Sequence, residues 1–298
     1  MEEFEYQKLP VFAPAMVEQC RQRGDYRPML FEWYRHVALT CNEIASIRAD
    51  SPAFMSLSPS HYAVLVGLLN RCSRLMLSNV ALSSGGRFGE TTRLIDRCIA
   101  ESAVKVRWLS AHGGDGFIRY LADGLKNDLI LKAEIQANIA KRSGVRLVIE
   151  DRMLESIDRC VLASGLSEQQ ISGAKRLPDL RSMLDDFGVG SEAYTILQRM
   201  GSHSVHGTWA DLVANYLQID DSGGFRLRDH DVPTHHNQFV FVILLVLGAL
   251  KAFLLFMAGD PSDVEPLVAR LDQFVQGVTE LDKEDYGHDF EPVADSLE

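Results

Sequence analysis

The run Arg199-Met200-Gly201-Ser202-His203-Ser204-Val205-His206-Gly207-Thr208 sets one arginine and two histidines at helical spacing. At about 100° per residue, Arg199 and His206 stand almost above one another two turns apart, and His203 falls on the same side. The small residues between them leave room for a ligand to approach. Arginine holds a phosphate with its forked donors, and a neutral histidine can take or give a proton near neutral pH. Such a set suits phosphodiester chemistry without a metal. The alternative is a buried polar network, in which the ring nitrogens of His203 and His206 bond Ser202, Tyr194 or Glu101.

A second constellation lies far upstream. Arg93, Arg97, Glu101 and Lys105 recur at four-residue steps and form one drifting row on a helix. Arg97 and Glu101 can pair one turn apart, which would hold the carboxylate in place. A solvated salt ladder would look the same in sequence and would stabilise by only tenths of a kcal/mol. However, Glu101 falls beside the apolar positions Leu94, Cys98 and Trp108, so it is expected to be part-buried. A part-buried charge needs a partner or a function.

The elements that must position these residues read as helices almost throughout. From Pro28 to about Arg48, Leu30, Trp33, Val37, Cys41, Ile44 and Ile47 recur at three- and four-residue steps. A second helix opens at Pro59 with a stripe through Tyr62, Leu65, Leu69, Cys72, Met76 and Val80, and ends at Ser83-Ser84-Gly85-Gly86. The third runs from Thr91 to Ser110 through Ile95, Cys98, Ser102, Val106 and Leu109, and Gly113-Gly114 closes it. Residues 117–141 and 146–163 continue in helical style.

Beyond these, Ser167 with Gln170 forms a capping box for a short helix, and Pro178 starts another. Ser191 caps the helix that reaches past His206. The alternating runs Tyr216–Ile219 and Phe225–Arg228, around Asp221-Ser222-Gly223-Gly224, predict one small hairpin. An apolar helix over Phe239 to Met257 and an amphipathic one from about Pro261 to Leu281 complete the chain, followed by an acidic tail over 282–298 that is expected to be flexible. The fold class is therefore all-α: a multi-helix bundle with at most one small hairpin near 216–228. Residues 1–27 read as a helical extension and 28–281 as a single domain.

Composition narrows the function classes. A net charge of −11 over 298 residues argues against broad, non-specific nucleic-acid binding, although a local basic cleft stays open. The five cysteines are scattered without a CxxC pair, which fits neither a disulfide framework nor a zinc site. The acidic start, Met1-Glu2-Glu3-Phe4-Glu5, does not read as a signal peptide, and a cytoplasmic setting is expected. Phe239 to Met257 approaches the length of a membrane span, but Lys251 inside it and the lack of aromatic or basic flanks favour a buried core helix, so no membrane partner is expected.

Other chemistries fit less well. His203 and His206 with Glu101, or Asp229-His230-Asp231 with His235-His236, offer metal-ligating types at spacings that match no closed zinc pattern. No metal or other cofactor is expected. The glycine-rich Ser83 to Gly89 has no Walker lysine and no preceding strand, and so is not a phosphate loop. There is no G-x-S-x-G elbow and no H-E-x-x-H.

The helix of Arg97-Cys98-Ile99-Ala100-Glu101, the aromatics Phe117 and Tyr120, and the later Tyr194…Ser202-x-x-Val205-His206-Gly207-Thr208 together resemble a helical bacterial family known only as a domain of unknown function. The resemblance spans roughly residues 28–260 and implies a fold without an activity. A looser likeness is to the HEPN superfamily (higher-eukaryote and prokaryote nucleotide-binding), small helical bundles that include metal-independent ribonucleases of toxin and phage-defence systems. Its signature, an arginine followed after a short spacer by a histidine late in the bundle, is similar to Arg199…His206. The polar residue that often follows that arginine is Met200 here.

This likeness implies His206 as general base on a ribose 2′-hydroxyl and Arg199 as stabiliser of the charged phosphorane. It also implies a homodimer that pairs two copies of the motif, with RNA as substrate and an antitoxin or defence protein as partner. His203 completes the catalytic set, with Arg97, Glu101, Tyr194 and Ser202 in support. The alternative reading is a non-catalytic helical module that binds a partner protein or a nucleotide through the same polar pocket. His206 separates the two: a nuclease needs it open to solvent, whereas a structural histidine would be enclosed.

Overall fold

The computed structural model describes residues 10–188, 194–195, 205–228 and 231–286. Its first helix, α1 (Pro14–Arg23), starts at a proline, whose missing N–H costs nothing in a first turn, and ends at Gly24 in the left-handed conformation. Helix α2 (Arg27–Ala45) buries Leu30, Trp33, Tyr34, Val37, Ala38, Cys41 and Ile44, a stripe at three- and four-residue steps. Helix α3 (Pro59–Ser83) is capped by Ser58, whose hydroxyl accepts from the His61 amide at 3.3 Å. It buries Leu65, Leu69, Cys72 and Met76 as expected, and also the polar Ser73, Asn79 and Ser83.

The two helices expected on either side of Gly113-Gly114 run end to end as α4 (Gly89–Lys141), broken in direction at Gly113, where φ is 57° and ψ −137°. Only glycine adopts that backbone without strain, and the kink falls where the sequence placed a closure. The first half of α4 packs against α3 and against the apolar helix, labelled α9 below. The second half carries α5 (Val148–Ser164) and the short α6 (Glu168–Gly173) on a smaller core of Ala122, Leu125 and Ile171. Ser167 caps α6 through the Gln170 amide at 3.2 Å, and Gln170 Oε1 accepts from the Ser167 amide at 2.9 Å, which is the capping box read from sequence. Helix α7 (Leu180–Asp185) begins just past Pro178, with Asp179 accepting from the Ser182 amide at 2.9 Å.

A short turn α8 (Trp209–Asp211), capped by Thr208, passes into a π-helical turn over Leu212–Tyr216. The hairpin follows: β1 (Leu217–Ile219) pairs antiparallel with β2 (Phe225–Leu227) in the register Leu217↔Leu227, Gln218↔Arg226, Ile219↔Phe225. Its turn is tied by the Asp220 carboxylate, which accepts from the amides of Ser222 and Gly224 at 2.9 Å each. No other strand pairing into a sheet occurs among the described residues, and the all-α class with one small hairpin is what the chain adopts.

Helix α9 (His236–Met257) occupies the centre of the bundle, packed against α2, α4 and α10 (Glu265–Tyr286). By length and composition it could cross a membrane, yet Val242, Ile243, Val246, Ala249, Leu250 and Phe253 are fully enclosed by protein. Lys251 sits on its outer side and donates to Asp272 of α10 at 2.7 Å. Helix α10 approaches α2 so closely that a Cβ on Gly277 would lie 2.6 Å from the Trp33 ring, and Phe274 meets that ring edge-on. Its end at Tyr286 lies beyond the expected Leu281. There Glu284 accepts from Arg21 and from the Tyr26 hydroxyl at 3.1 Å each, and Asp285 lies 3.3 Å from His236. Residues 287–298 lie outside the described residues.

Candidate functional site

On the first half of α4, the Arg97 guanidinium donates through Nε to Glu101 Oε1 at 3.2 Å. Both side chains are about one-third exposed, which is the part-buried pair expected from the row. The second face of the guanidinium is unsatisfied, because Arg97 Nη1 is buried without an acceptor. Lys105, one turn past Glu101, is also half-buried. Arginine and lysine can only donate, and among the described residues neither Arg97 Nη1 nor Lys105 has an acceptor.

Glu101 and Lys105 open onto a cleft of about 620 Å³ in the elbow of the kinked α4. The second half of α4 contributes Asp123, Lys126 and Asn127, and the segment Arg176–Leu180 with Met183 forms the opposite wall. Two contacts pin that wall to the first half of α4, beside a ring stack within the helix itself. Trp108 Nε1 donates to Asp186 Oδ2 at 2.9 Å, His112 stacks on Trp108 at 4.2 Å, and the Arg107 guanidinium lies over the Phe187 ring at 4.6 Å. From the other side, Lys126 Nζ donates to the Ala174 carbonyl at 2.6 Å.

Of the downstream segment only 194–195 and 205 onward are described, and the expected cap Ser191 lies outside them. Tyr194 is half-buried against the main core, with the Arg181 guanidinium of α7 5.8 Å from its ring centre, so it belongs to the wall that also lines the cleft. Arg199, Ser202 and His203 lie outside the described residues. His206 is exposed, followed by Gly207 in a left-handed conformation and by the Thr208 cap. Immediately after it comes an apolar surface: Trp209 is 61% exposed and meets Phe225 edge-on at 5.3 Å, while Leu212, Tyr216, Ile219 and Leu227 are exposed as well. In the ribbon register, Leu217, Ile219, Phe225 and Leu227 share one face.

The two clusters of metal-ligating residue types take different places. Asp229 and His230 lie outside the described residues, while His235 caps α9 by accepting from the Asn237 amide at 3.3 Å. Asp231 pairs with Arg87 at 3.1 Å. Among the described residues, no three histidine, cysteine or acidic side chains gather as a metal would require.

Sequence reasoning missed a buried polar network centred on Asp96. Its Oδ1 accepts from Asn79 at 2.7 Å and its Oδ2 from Gln238 at 2.8 Å; Asn79 also donates to the Tyr34 hydroxyl at 3.2 Å. The Gln238 amide reaches Thr92, which lies 3.2 Å from the Thr234 hydroxyl, and Thr234 in turn lies 2.7 Å from that of Ser83. Four segments are thereby tied together at one end of the bundle. Nearby, Gly89 approaches the chain so closely that a Cβ would sit 2.4 Å from the Pro233 carbonyl. Burial pushes the Asp96 carboxyl up to about 7, against the opposing pull of Gln238, Arg93 and Asn79. The available signal was the run of small or polar residues Thr92, Asp96, Ala100 and Ala103 at helical spacing.

A helical bundle with a kinked long helix, an Arg–Glu pair whose glutamate lines a cleft and a histidine-bearing turn beside a hairpin defines the class of this protein. Within that class, the chain belongs to the family described as "Family of unknown function (DUF5677)", whose model matches residues 62–225. The match takes in α3 to β1, and so includes both the Arg97–Glu101 pair and the segment of Arg199 and His206. No curated protein and no solved structure matches the chain.

Proposed function

We propose that this protein is a HEPN-like, metal-independent endoribonuclease of the toxin or phage-defence kind, acting in the cytoplasm as a homodimer. The observation that carries the reading is the exposure of His206. A structural histidine would be enclosed and bonded on both nitrogens, whereas a general base must reach its substrate.

In this reading the His206 ring takes the proton from a ribose 2′-hydroxyl. The 2′-oxygen then bonds the adjacent phosphorus, and the 5′-oxygen leaves with a proton given by the partner's His206, itself protonated. The products are a 2′,3′-cyclic phosphate and a 5′-hydroxyl end. Arg199 neutralises the charge that builds on the phosphorane oxygens, and His203 is assigned as a second proton carrier. Arg97, Glu101, Tyr194 and Ser202 are assigned supporting roles. The apolar hairpin face serves as the pairing surface, because it follows His206 directly in the chain and an apolar patch is complementary to a copy of itself.

The test is expression in bacteria of the wild type beside His206→Ala and Arg199→Ala. Growth arrest with broken cellular RNA, lost in both variants while their circular dichroism is unchanged, supports the reading. Normal growth and intact RNA with the wild type would overturn the toxic-nuclease assignment.

A further inference from the structure

We infer that the cleft in the elbow of α4 binds a small organic phosphate, a monoester whose body carries hydroxyl groups and an apolar face. This goes beyond the nuclease reading, since neither Arg199 nor His206 takes part in it.

The volume, about 620 Å³, falls within the roughly 300–1,000 Å³ of small-molecule sites. Cations reach the cleft from three directions: Lys105 from the first half of α4, Lys126 from the second and Arg176 from the facing wall. Lys105 is half-buried and, among the described residues, makes no hydrogen bond or ion pair. A ligand with several anionic oxygens can accept from more than one of these cations at once. Convergence from separate segments favours a phosphate over a single carboxylate, since a phosphate monoester offers three terminal oxygens.

The rest of the lining selects against inorganic phosphate. Glu101 and Asp123 also face the cleft, and carboxylates there repel a bare anion while accepting from hydroxyl groups. Leu177, Pro178 and Leu180 give the facing wall an apolar surface. Three cations, Lys105, Lys126 and Arg176, balance the three carboxylates of Glu101, Asp123 and Asp179, so the cleft is not acidic although the chain's net charge is −11.

Titration calorimetry on the full chain tests this, using glucose 6-phosphate, ribose 5-phosphate, adenosine 5′-monophosphate and inorganic phosphate as separate probes. At least one organic phosphate is expected to bind one-to-one, at least tenfold more tightly than inorganic phosphate. The same probe should bind about tenfold more weakly to Lys105→Ala and to Arg176→Ala. Neither variant removes a hydrogen bond or ion pair found in the fold, and unchanged melting would confirm that both are folded. No saturable binding of the three esters below millimolar concentration would overturn the inference, as would binding indifferent to both substitutions. Cleavage of RNA by the same preparations reports on the nuclease reading separately, so either assignment can fail alone.

Discussion

Replacing Asp96 by asparagine should make the protein less sensitive to rising pH. In the native bundle the Asp96 carboxyl is pushed up to about 7 by burial, from an ordinary value of 3.8. A raised carboxyl gives stability that is fully present below the unfolded value and is lost as pH climbs through the folded one. At about 1.36 kcal/mol per unit, the loss between pH 5 and pH 8 comes to about 3 kcal/mol. That is a large part of the roughly 5–15 kcal/mol that holds a domain folded. Asparagine has nearly the same shape and cannot ionise. Its new NH2 group can be received by Asn79, whose Oδ1 has no partner and can turn toward it.

The assay is urea denaturation of both proteins at pH 5, 6, 7 and 8, with the difference in unfolding free energy plotted against pH. Subtracting the variant cancels other titrations, such as those of His36 and His61, which burial pushes down and which would therefore destabilise the fold on the acid side. Wild type should lose about 3 kcal/mol relative to Asp96→Asn across this range. Parallel pH profiles would refute the reasoning, because they would mean that the carboxyl ionises in the fold without penalty.

Gly277→Ala would push a Cβ to 2.6 Å from the rigid Trp33 ring, so the melting temperature should fall by an amount equivalent to about 1–3 kcal/mol, read by calorimetry. Leu227 is 81% exposed, so Leu227→Glu should leave melting unchanged, and under the proposed pairing of two copies it should shift light-scattering mass from dimer to monomer and abolish RNA cleavage. Trp108→Phe removes the donor held by Asp186 at 2.9 Å and should loosen α7, seen as faster amide exchange over 180–187 with the rest of α4 unaffected.

Much of the fold was legible because several helices bury one stripe. Leu30, Trp33, Val37 and Cys41 mark α2, and the run from Phe239 to Met257 marks α9 by its sheer apolarity. Local chemistry was equally plain: the Ser167–Gln170 box, the glycine at the α4 kink and the Arg97–Glu101 pair all depend on residues within one or two turns. The first half of α4 was harder. It packs against both α3 and α9, so Thr92, Asp96, Ile99, Ala103 and Val106 are buried around more than one face, and a single stripe could not describe it. The cleft was invisible for another reason. It depends on the angle at Gly113 and on Trp108 meeting Asp186, residues 78 apart that no local pattern connects. Asp96 was passed over because a buried carboxylate is recognised by its partners, and these come from α3 and α9.

The central claim is tested most directly by incubating the purified protein with a labelled single-stranded RNA in excess EDTA and mapping the product ends. The account predicts cleavage that leaves 2′,3′-cyclic phosphate ends, with a rate reduced by roughly 10²–10⁴-fold in His206→Ala. Intact RNA with wild-type protein, or cleavage that EDTA abolishes or that survives unchanged in His206→Ala, would contradict it.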